Sequence, residues 1–224
     1  MSATGDPALA RPEILADEEI VARVLSGDAR SYELLMQRHN RRVYRAIRAV
    51  LGEDRDVEDV MQDAYLSAYR ALGGFEARAR FGTWLIRIAV NSAIDRRRRA
   101  VPVVPLDTVP ETAFARAEPP PLELVDPERR VGARELALRL EAAIDALPEA
   151  FRAVYVLREL DGLGTFDTAA CLGIEVTTVR TRFHRARRLL RDALGEEIVA
   201  AAEVMPFGGE RCARVTEGVL ARIA

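Results

Sequence analysis

The chain has 224 residues, of which 49% are apolar and 6% aromatic, and its formal net charge is −2. It can therefore bury a proper core, but no stretch approaches the roughly 18 apolar residues of a membrane span. The acidic N-terminal stretch lacks the apolar segment of a secretory signal, and Cys171 and Cys212 are too far apart for a metal-type cluster. We therefore expect a cytoplasmic protein with reduced thiols and no membrane insertion.

The first predicted domain, residues 17–100, reads as four helices. The first two are separated by a break near Gly27 and Asp28. The second is indicated by apolar positions that recur at three- and four-residue steps between Tyr32 and Val50. DVEDVMQDAYLSAYRAL predicts a third helix with one apolar side. TWLIRIAVNSAIDRRRR predicts a fourth, which begins apolar almost all round and ends in four consecutive arginines. We expect its first two turns to be buried and its last turn to be exposed.

A proline-rich segment then divides the chain. Residues 101–127 hold seven of the eleven prolines, which makes a continuous helix there very unfavourable, and we interpret 101–129 as a linker. Two further helices, ARELALRLEAAIDAL and PEAFRAVYVLREL, open a second domain at residues 130–194, with Pro148 suited to a first helical position. The sequence thus predicts an all-α fold of two small helical domains, followed by a C-terminal extension at 195–224.

Three residues of the second domain have the spacing of a helix-turn-helix. Ala169, Gly173 and Val179 stand at steps of four and six residues. The first position must be small because a second helix crosses there, and the second takes a left-handed turn that glycine adopts without steric cost. The third is an apolar residue at the root of the second helix. This spacing predicts a DNA-binding motif.

The second helix of this motif, VTTVRTRFHRARRLLRD, carries six arginines. Helical geometry gathers one apolar stripe, which we expect to be buried: Val179, Phe183, Ala186 and Leu190. The opposite arc holds the residues that could reach DNA: Arg180, Thr181, His184, Arg185 and Arg188. Such an arc suits a helix in the major groove, where arginine can address guanine and the other residues can bind phosphates. The alternative is a merely solvated basic face.

The basic end of the fourth helix is a second candidate nucleic-acid site. Trp84, Ile88 and Asn91 lie on one helical face just before the arginine cluster. An amide and aromatics beside positive charge suit a site for unpaired bases and backbone. Two alternatives stay open, since Trp84 could belong to the core and arginines at a helix C-terminus also interact favourably with its dipole.

Five segments in order resemble the extracytoplasmic-function sigma factors of bacteria. The resemblance covers residues 17–194 and rests on SGDARSYELLMQRHNRRVYR, EDVMQDAYLSAYRAL, FGTWLIRIAVNSAIDRRRR, IDALPEAFRAVYVLRELDGL and VRTRFHRARRLLRDAL. It implies that the first domain is region 2, which binds the clamp helices of RNA polymerase and opens the −10 element. The second would be region 4, which binds the polymerase flap and reads the −35 element. The linker would run toward the RNA exit path.

The resemblance also implies site residues. The core polymerase-binding surface would comprise Asp56, Glu58, Asp59, Gln62 and Asp63. Contacts to the −10 element would come from Trp84, Asn91, Arg96, Arg97, Arg98 and Arg99, with Asn91 helping to capture a flipped base. Contacts to the −35 element would come from Arg158, Thr177, Thr178, Arg180, Thr181, His184, Arg185 and Arg188. An anti-sigma factor is the usual inhibitor in this family.

The acidic cluster at residues 56–63 has two other interpretations. It could bind a divalent metal or serve acid–base chemistry, but no histidine accompanies it, and it could also be a plain solvated face. We expect no cofactor, no metal and no enzymatic activity, because no nucleophile–base pair or glycine-rich phosphate loop is visible. A helix-turn-helix repressor or activator is the main competing function, although residues 17–100 suit a ligand or dimerisation domain poorly.

Two departures from the family pattern lead to further expectations. Gly164 stands where the first helix of the turn motif usually begins with serine, and Thr168 occupies a usually apolar position, so we expect looser packing there. The extension contains GERCARVTEGVLARIA, whose residues Cys212, Val215, Val219, Leu220 and Ile223 share one side at helical spacing. We expect this helix to dock on the sigma domains or on a partner and to modulate activity. Because the linker does not fix the separation of the domains, the isolated chain should bind promoter DNA weakly.

Overall fold

The computed structural model describes residues 15–52, 54–77, 79–100, 133–194, 205 and 207–223, and the regular structure within these ranges is helical. The α-helices are α1 (Asp17–Leu25), α2 (Tyr32–Leu51), α3 (Val57–Ala71), α4 (Phe81–Ala100), α5 (Ala133–Ala146), α6 (Glu149–Tyr155), α7 (Thr165–Leu172), α8 (Val176–Leu194) and α9 (Gly209–Ile223). The prediction of an all-α fold is confirmed. The predicted linker at 101–129 lies outside the described residues.

The N-terminal domain is built around α2, α3 and α4, which pack against one another. The predicted break before α2 is present, and Asp28 stabilises it by accepting hydrogen bonds from the Ser31 hydroxyl and backbone N–H at 2.6 and 3.3 Å. Inside the core, the Tyr32 hydroxyl donates to the carbonyl of Tyr65 and the Tyr65 hydroxyl donates to Asn40 Oδ1. Every polar group in this chain of contacts therefore has a partner, which allows two tyrosines to be buried completely.

Helix α4 is buried less uniformly than its sequence predicts. Leu85, Ile86 and Ala89 are fully buried, but Arg87 is exposed and Trp84 is only half-buried. The expectation of two turns buried all round is therefore wrong in part. The helix leaves one side of its apolar half open, and its arginine-rich end emerges from the core as predicted.

The C-terminal domain departs from prediction at both ends of α6. Pro148 has an extended backbone (φ −51°, ψ 138°) and caps the helix from outside, so it is the N-cap and not the first helical residue. At the other end, α6 continues as a π-helical segment, Val156–Leu160. The spacing of apolar residues in the sequence did not indicate this π-helical segment.

The two domains pack directly against each other, which was not expected from the linker. Helix α2 contacts α6 and the π-helical segment, and α4 contacts α7. Ion pairs cross the interface: Arg48 of α2 pairs with Glu141 and Asp145 of α5, and Arg97 of α4 pairs with Glu149 of α6. These contacts fix the separation of the domains in this structure, whatever the linker allows.

Helix α9 lies on the N-terminal domain and packs against α3 and α2. Val215 and Val219 are fully buried, so the expectation that this apolar face docks on the sigma-like domains is confirmed. Thr216 is buried as well, which the apolar pattern did not include. Before the helix, Met205 is fully buried and the Phe207 ring stacks on Tyr44 at 4.8 Å.

Candidate functional site

The turn between α7 and α8 has the geometry that its spacing predicts. Gly173 ends α7 with a left-handed backbone (φ 65°, ψ 36°), and the amide of Ile174 donates to the carbonyl of Ala169 at 3.1 Å. Ala169 is buried where the helices meet, and Val179 anchors the root of α8 with no exposed surface. The helix-turn-helix is confirmed.

The two residues that depart from the family pattern, at the start of α7 and within it, are accommodated without loss of packing. Gly164 is the N-cap of the helix, and Thr168 is fully buried one turn later. The Thr168 hydroxyl donates to the Gly164 carbonyl at 2.9 Å, so its polar atom is satisfied inside the helix and its methyl group is left for the core. The expectation of loosened packing at Thr168 is therefore wrong.

Helix α8 separates an apolar side from a basic one. Val179, Ala186 and Leu190 are buried as predicted, whereas Phe183 is half-buried and holds the guanidinium groups of Arg158 and Arg187 over its ring at 5.3 and 5.8 Å. The other side faces outward. Its exposed members are Thr177, Arg180, Thr181, His184 and Arg188, and its half-buried members are Thr178 and Arg185.

Arg158 differs from the other residues predicted for the −35 contact. Its guanidinium donates to the carbonyl of Leu163 at 2.5 Å and lies over Phe183, so part of its donor capacity is used inside the domain. It lies at the edge of the α8 surface and holds the loop before α7 in place.

In the C-terminal half of α4, five polar residues are exposed: Asn91, Asp95, Arg96, Arg98 and Arg99. Arg96 nevertheless pairs with Asp56 at 3.3 Å, and the half-buried Arg97 pairs with Glu149 of the other domain. The half-buried Trp84 belongs to an aromatic cluster, with ring centroids 5.3 Å from Phe75 and 5.5 Å from Phe81. Both interpretations of Trp84, core packing and a face toward bases, are thus compatible with its position.

The acidic surface of α3 has two unlike halves. Asp59 and Asp63 are exposed, whereas Glu58 and Gln62 are half-buried beneath α9. Arg214 and Arg211 both hydrogen-bond to the Glu58 carboxylate and hold its pKa below the ordinary value. The sequence prediction missed Asp54, Arg211 and Arg214 as parts of this surface. Their signal was weak: two arginines three residues apart, flanking an apolar helix face.

Within the ranges that the structure describes, no group of three or more His, Cys, Asp or Glu side chains is placed to hold a metal ion. In the same ranges, no helix has the length and the apolar character needed to cross a membrane.

Two family models match the chain on either side of the predicted linker. Sigma-70 region 2 matches residues 35–101, and Sigma-70 region 4 matches residues 137–190. RNA polymerase sigma-H factor of Pseudomonas aeruginosa is 34% identical over 80% of this chain and 93% of its own length. The ECF RNA polymerase sigma-E factor of Escherichia coli is 36% identical over 80% of this chain and 94% of its own length. The chain belongs to the ECF RNA polymerase sigma factors. It is therefore a non-enzymatic factor that directs transcription initiation with RNA polymerase on promoter DNA.

Other comparisons agree with this assignment to the ECF sigma factors. The ECF sigma factor SigM of Mycobacterium tuberculosis is 35% identical over 80% of this chain and 85% of its own length. The structure of CnrH in complex with the cytosolic domain of CnrY superposes with a TM-score of 0.53 at 29% identity, covering 82% of this chain and 99% of CnrH. The sigma factor RpoE of Bartonella quintana, solved with the anti-sigma factor NepR, gives 0.50 at 20% identity over 76% of this chain and 98% of its own, and supports the fold.

Proposed function

We propose that this ECF sigma factor divides promoter recognition and polymerase binding among three surfaces. Helix α8 reads the −35 element, the exposed end of α4 engages the −10 element, and α3 binds the polymerase core. Residues 17–100 then act as region 2, residues 130–194 as region 4, and 101–129 as the linker between them. The observation that carries the proposal is the exposed basic side of α8, held outward by a buried apolar stripe.

The −35 surface combines base readers with phosphate contacts. Arg180 lies one turn into α8 and Arg185 near its middle, on the side where guanidinium groups can address guanine in the major groove. Thr177 and Thr178 lie at the start of α8, where hydroxyl and amide donors suit phosphate oxygens. Thr181, His184 and Arg188 complete the surface.

The −10 surface is smaller, and in the free chain part of it is occupied. Asn91 is exposed and presents an amide that can both donate to and accept from the edge of an extruded base. Arg98 and Arg99 supply charge to the strand backbone. Arg96 and Arg97 are bound to carboxylates and would have to exchange them for phosphates.

Helix α3 supplies the surface for the polymerase clamp through Asp56, Glu58, Asp59, Gln62 and Asp63. The acids stand on successive turns of a helix whose opposite side is buried, so a partner helix can lie along them. An anti-sigma factor is a further proposed partner, because one relative of similar fold was solved with such a protein. The proposed location is the cytoplasm, where RNA polymerase acts.

Run-off transcription with core polymerase tests this function. A sigma factor confers initiation at defined promoters of its own genome, whereas the core alone does not. Template variants with altered −35 or −10 sequences then assign the two surfaces. Tight, sequence-specific duplex binding without polymerase, together with no run-off product, would instead identify a free-standing helix-turn-helix regulator.

A further inference from the structure

Helix α9 lies on the side of α3 that the proposed function assigns to the polymerase. Arg211 Nε donates to Glu58 Oε1 at 2.7 Å, and Arg214 Nη2 donates to the same oxygen at 2.9 Å. Gly218 comes so close that a Cβ on it would lie 2.9 Å from the side-chain amide of Gln62. Two of the five residues of the proposed core-binding surface are therefore already in contact with this chain's own C-terminal helix.

The contact is complementary in charge as well as in shape. Arg211 also donates to both carboxylate oxygens of Asp54, each at 2.9 Å, and its guanidinium lies over the Tyr44 ring. Two arginines of α9 thus neutralise Glu58 in the first turn of α3 and Asp54 just before that helix. Any partner that binds the same acids must bring its own cations, and it cannot do so while α9 is in place.

The attachment of α9 is of a kind that can be reversed. The side chains of the Arg214–Glu58 pair are 54% and 25% exposed and those of the Arg211–Asp54 pair 31% and 49%, and ion pairs partly open to solvent stabilise weakly. A helix of 15 residues is also marginal by itself in water. Because α9 belongs to the same chain, however, its docking is intramolecular, and even weak contacts keep it bound most of the time.

We propose that α9 competes with the RNA polymerase core for α3, so that the free sigma factor covers its own core-binding surface. This inference rests on the proposed assignment of α3. Core binding then requires α9 to leave, and the apparent dissociation constant rises in inverse proportion to the fraction of undocked molecules. A helix docked about 90% of the time weakens core binding about tenfold.

Reversing the two arginine charges in the full chain tests the competition. In R211E/R214E, carboxylates face Glu58 and Asp54, so α9 should detach while α3 keeps its sequence. We expect core polymerase to bind this variant several-fold to about tenfold more tightly than the wild type, measured by fluorescence anisotropy of labelled protein. Hydrogen exchange at α3 should rise in the free variant. E217Q, a charge change at an exposed position in the middle of the same helix, should leave both readouts unchanged.

A reversible crosslink provides the opposite state. Asn40 Nδ2 lies 2.8 Å from Cys212 Sγ, so N40C places two thiols across the contact between α2 and α9, away from the proposed core-binding residues. The oxidised protein should bind core at least about tenfold more weakly than the same protein after reduction. Equal binding in both states, with the disulfide verified by mass spectrometry, would overturn the proposal. The proposal would also be overturned if R211E/R214E detached α9 without increasing the affinity for core polymerase.

One further variant separates this inference from the proposed function of α3. Asp63 is exposed and lies outside the described contacts of α9, so D63R tests α3 alone. If α3 binds the core, D63R weakens core binding in both the wild-type and the R211E/R214E backgrounds. If D63R has no effect, the assignment of α3 fails. If D63R weakens binding and R211E/R214E does not strengthen it, the assignment stands and the competition fails.

Discussion

The guanidinium group of Arg152 lies across Gly52 and joins the two domains there. Gly52 ends α2 with a left-handed backbone (φ 80°, ψ −20°), and a Cβ on it would lie 2.6 Å from Arg152 Nη2. Arg152 is held in this position because it donates to the carbonyls of Ala49 and Asp145 at 3.0 and 2.9 Å. Gly52 therefore ends α2 and also leaves the space in which Arg152 of the C-terminal domain packs.

Replacing Gly52 with alanine should destabilise the protein in two ways. The left-handed backbone costs a non-glycine residue about 1–2 kcal/mol, and the added methyl group pushes Arg152 away from its carbonyl partners. Gly173→Ala is the matched control, because Gly173 is also left-handed but has no atom within 4 Å of its Cβ position. In urea unfolding, G52A should lose about 1 kcal/mol more than G173A. Equal losses would mean that Arg152 moves aside freely.

Asp161 makes the stability of the packed domains depend on pH. It is 8% exposed, neither carboxylate oxygen has a hydrogen-bond partner among the described residues, and burial raises its pKa from 3.8 to about 7 although Arg42 and Arg45 lower it. A carboxyl whose pKa is higher in the folded state favours folding below about pH 4, and this contribution is lost as the pH rises to about 7.

Replacing Asp161 with asparagine should therefore remove this pH dependence. D161N should be more stable than the wild type at pH 8, and the difference should shrink steadily toward pH 4, because asparagine cannot ionise. The measurement is the free energy of unfolding in urea across this range. D192N, a change at an exposed position of α8, should follow the wild-type curve. A D161N curve parallel to the wild type would show that Asp161 is not the titrating group.

The helices and the turn motif were predictable because their signals are local. The spacing of Ala169, Gly173 and Val179 depends on steric rules within a dozen residues, and the structure follows it. The π-helical segment and the internal hydrogen bond of Thr168 were not predictable in the same way. Both depend on which backbone carbonyl a nearby donor selects, and hydrophobic periodicity does not encode that choice.

The packing of the two domains and of α9 could not be predicted from the sequence, for a different reason. Arg152 reaches the carbonyl of Ala49, and Arg211 reaches Glu58, across separations of 103 and 153 residues. A polar contact of this kind has no periodic signal, and any of the many arginines could have formed it. The apolar face of α9 predicted that the helix docks, but it could not predict where.

Arg180 should carry specificity for the −35 element. R180A should weaken promoter binding by the complete holoenzyme by about 1–3 kcal/mol at fixed salt, because a bidentate contact to guanine is lost. R180K keeps the charge, so it should retain affinity for non-specific duplex while losing discrimination at that base pair. Core binding should stay intact in both variants. Unchanged promoter affinity in R180A would show that this arginine does not read a base.

Asn91 should act on strand opening and not on duplex binding. Its exposed amide can bond to an extruded base, and loss of such a bond costs about 1 kcal/mol, or about fivefold in the open complex. N91A should therefore lower permanganate reactivity of the −10 thymines while the −35 footprint of the same complexes is unchanged. Equal loss of both signals would indicate a folding defect, and no loss would remove Asn91 from the site.

Glu149 should mask Arg97 in the free protein. The two side chains form an ion pair between the domains, and Arg97 is proposed to contact the −10 strand. The Glu149 carboxylate therefore holds the domains together and also neutralises a guanidinium group that would otherwise bind a phosphate. E149Q removes the charge and keeps the shape. It should bind a single-stranded −10 oligonucleotide several-fold more tightly than the wild type, with a salt dependence steeper by about 0.7, the value for one added phosphate contact.

Three comparisons decide whether this gain comes from Arg97. E159Q, a neutralisation at an exposed position of the same domain, should leave oligonucleotide binding unchanged. In an R97A background, E149Q should give no gain, because the cation that it releases is absent. With core polymerase bound, the advantage of E149Q should shrink if the core separates the domains and breaks the pair in the wild type as well. A gain that persists in R97A would assign the masked cation to another arginine.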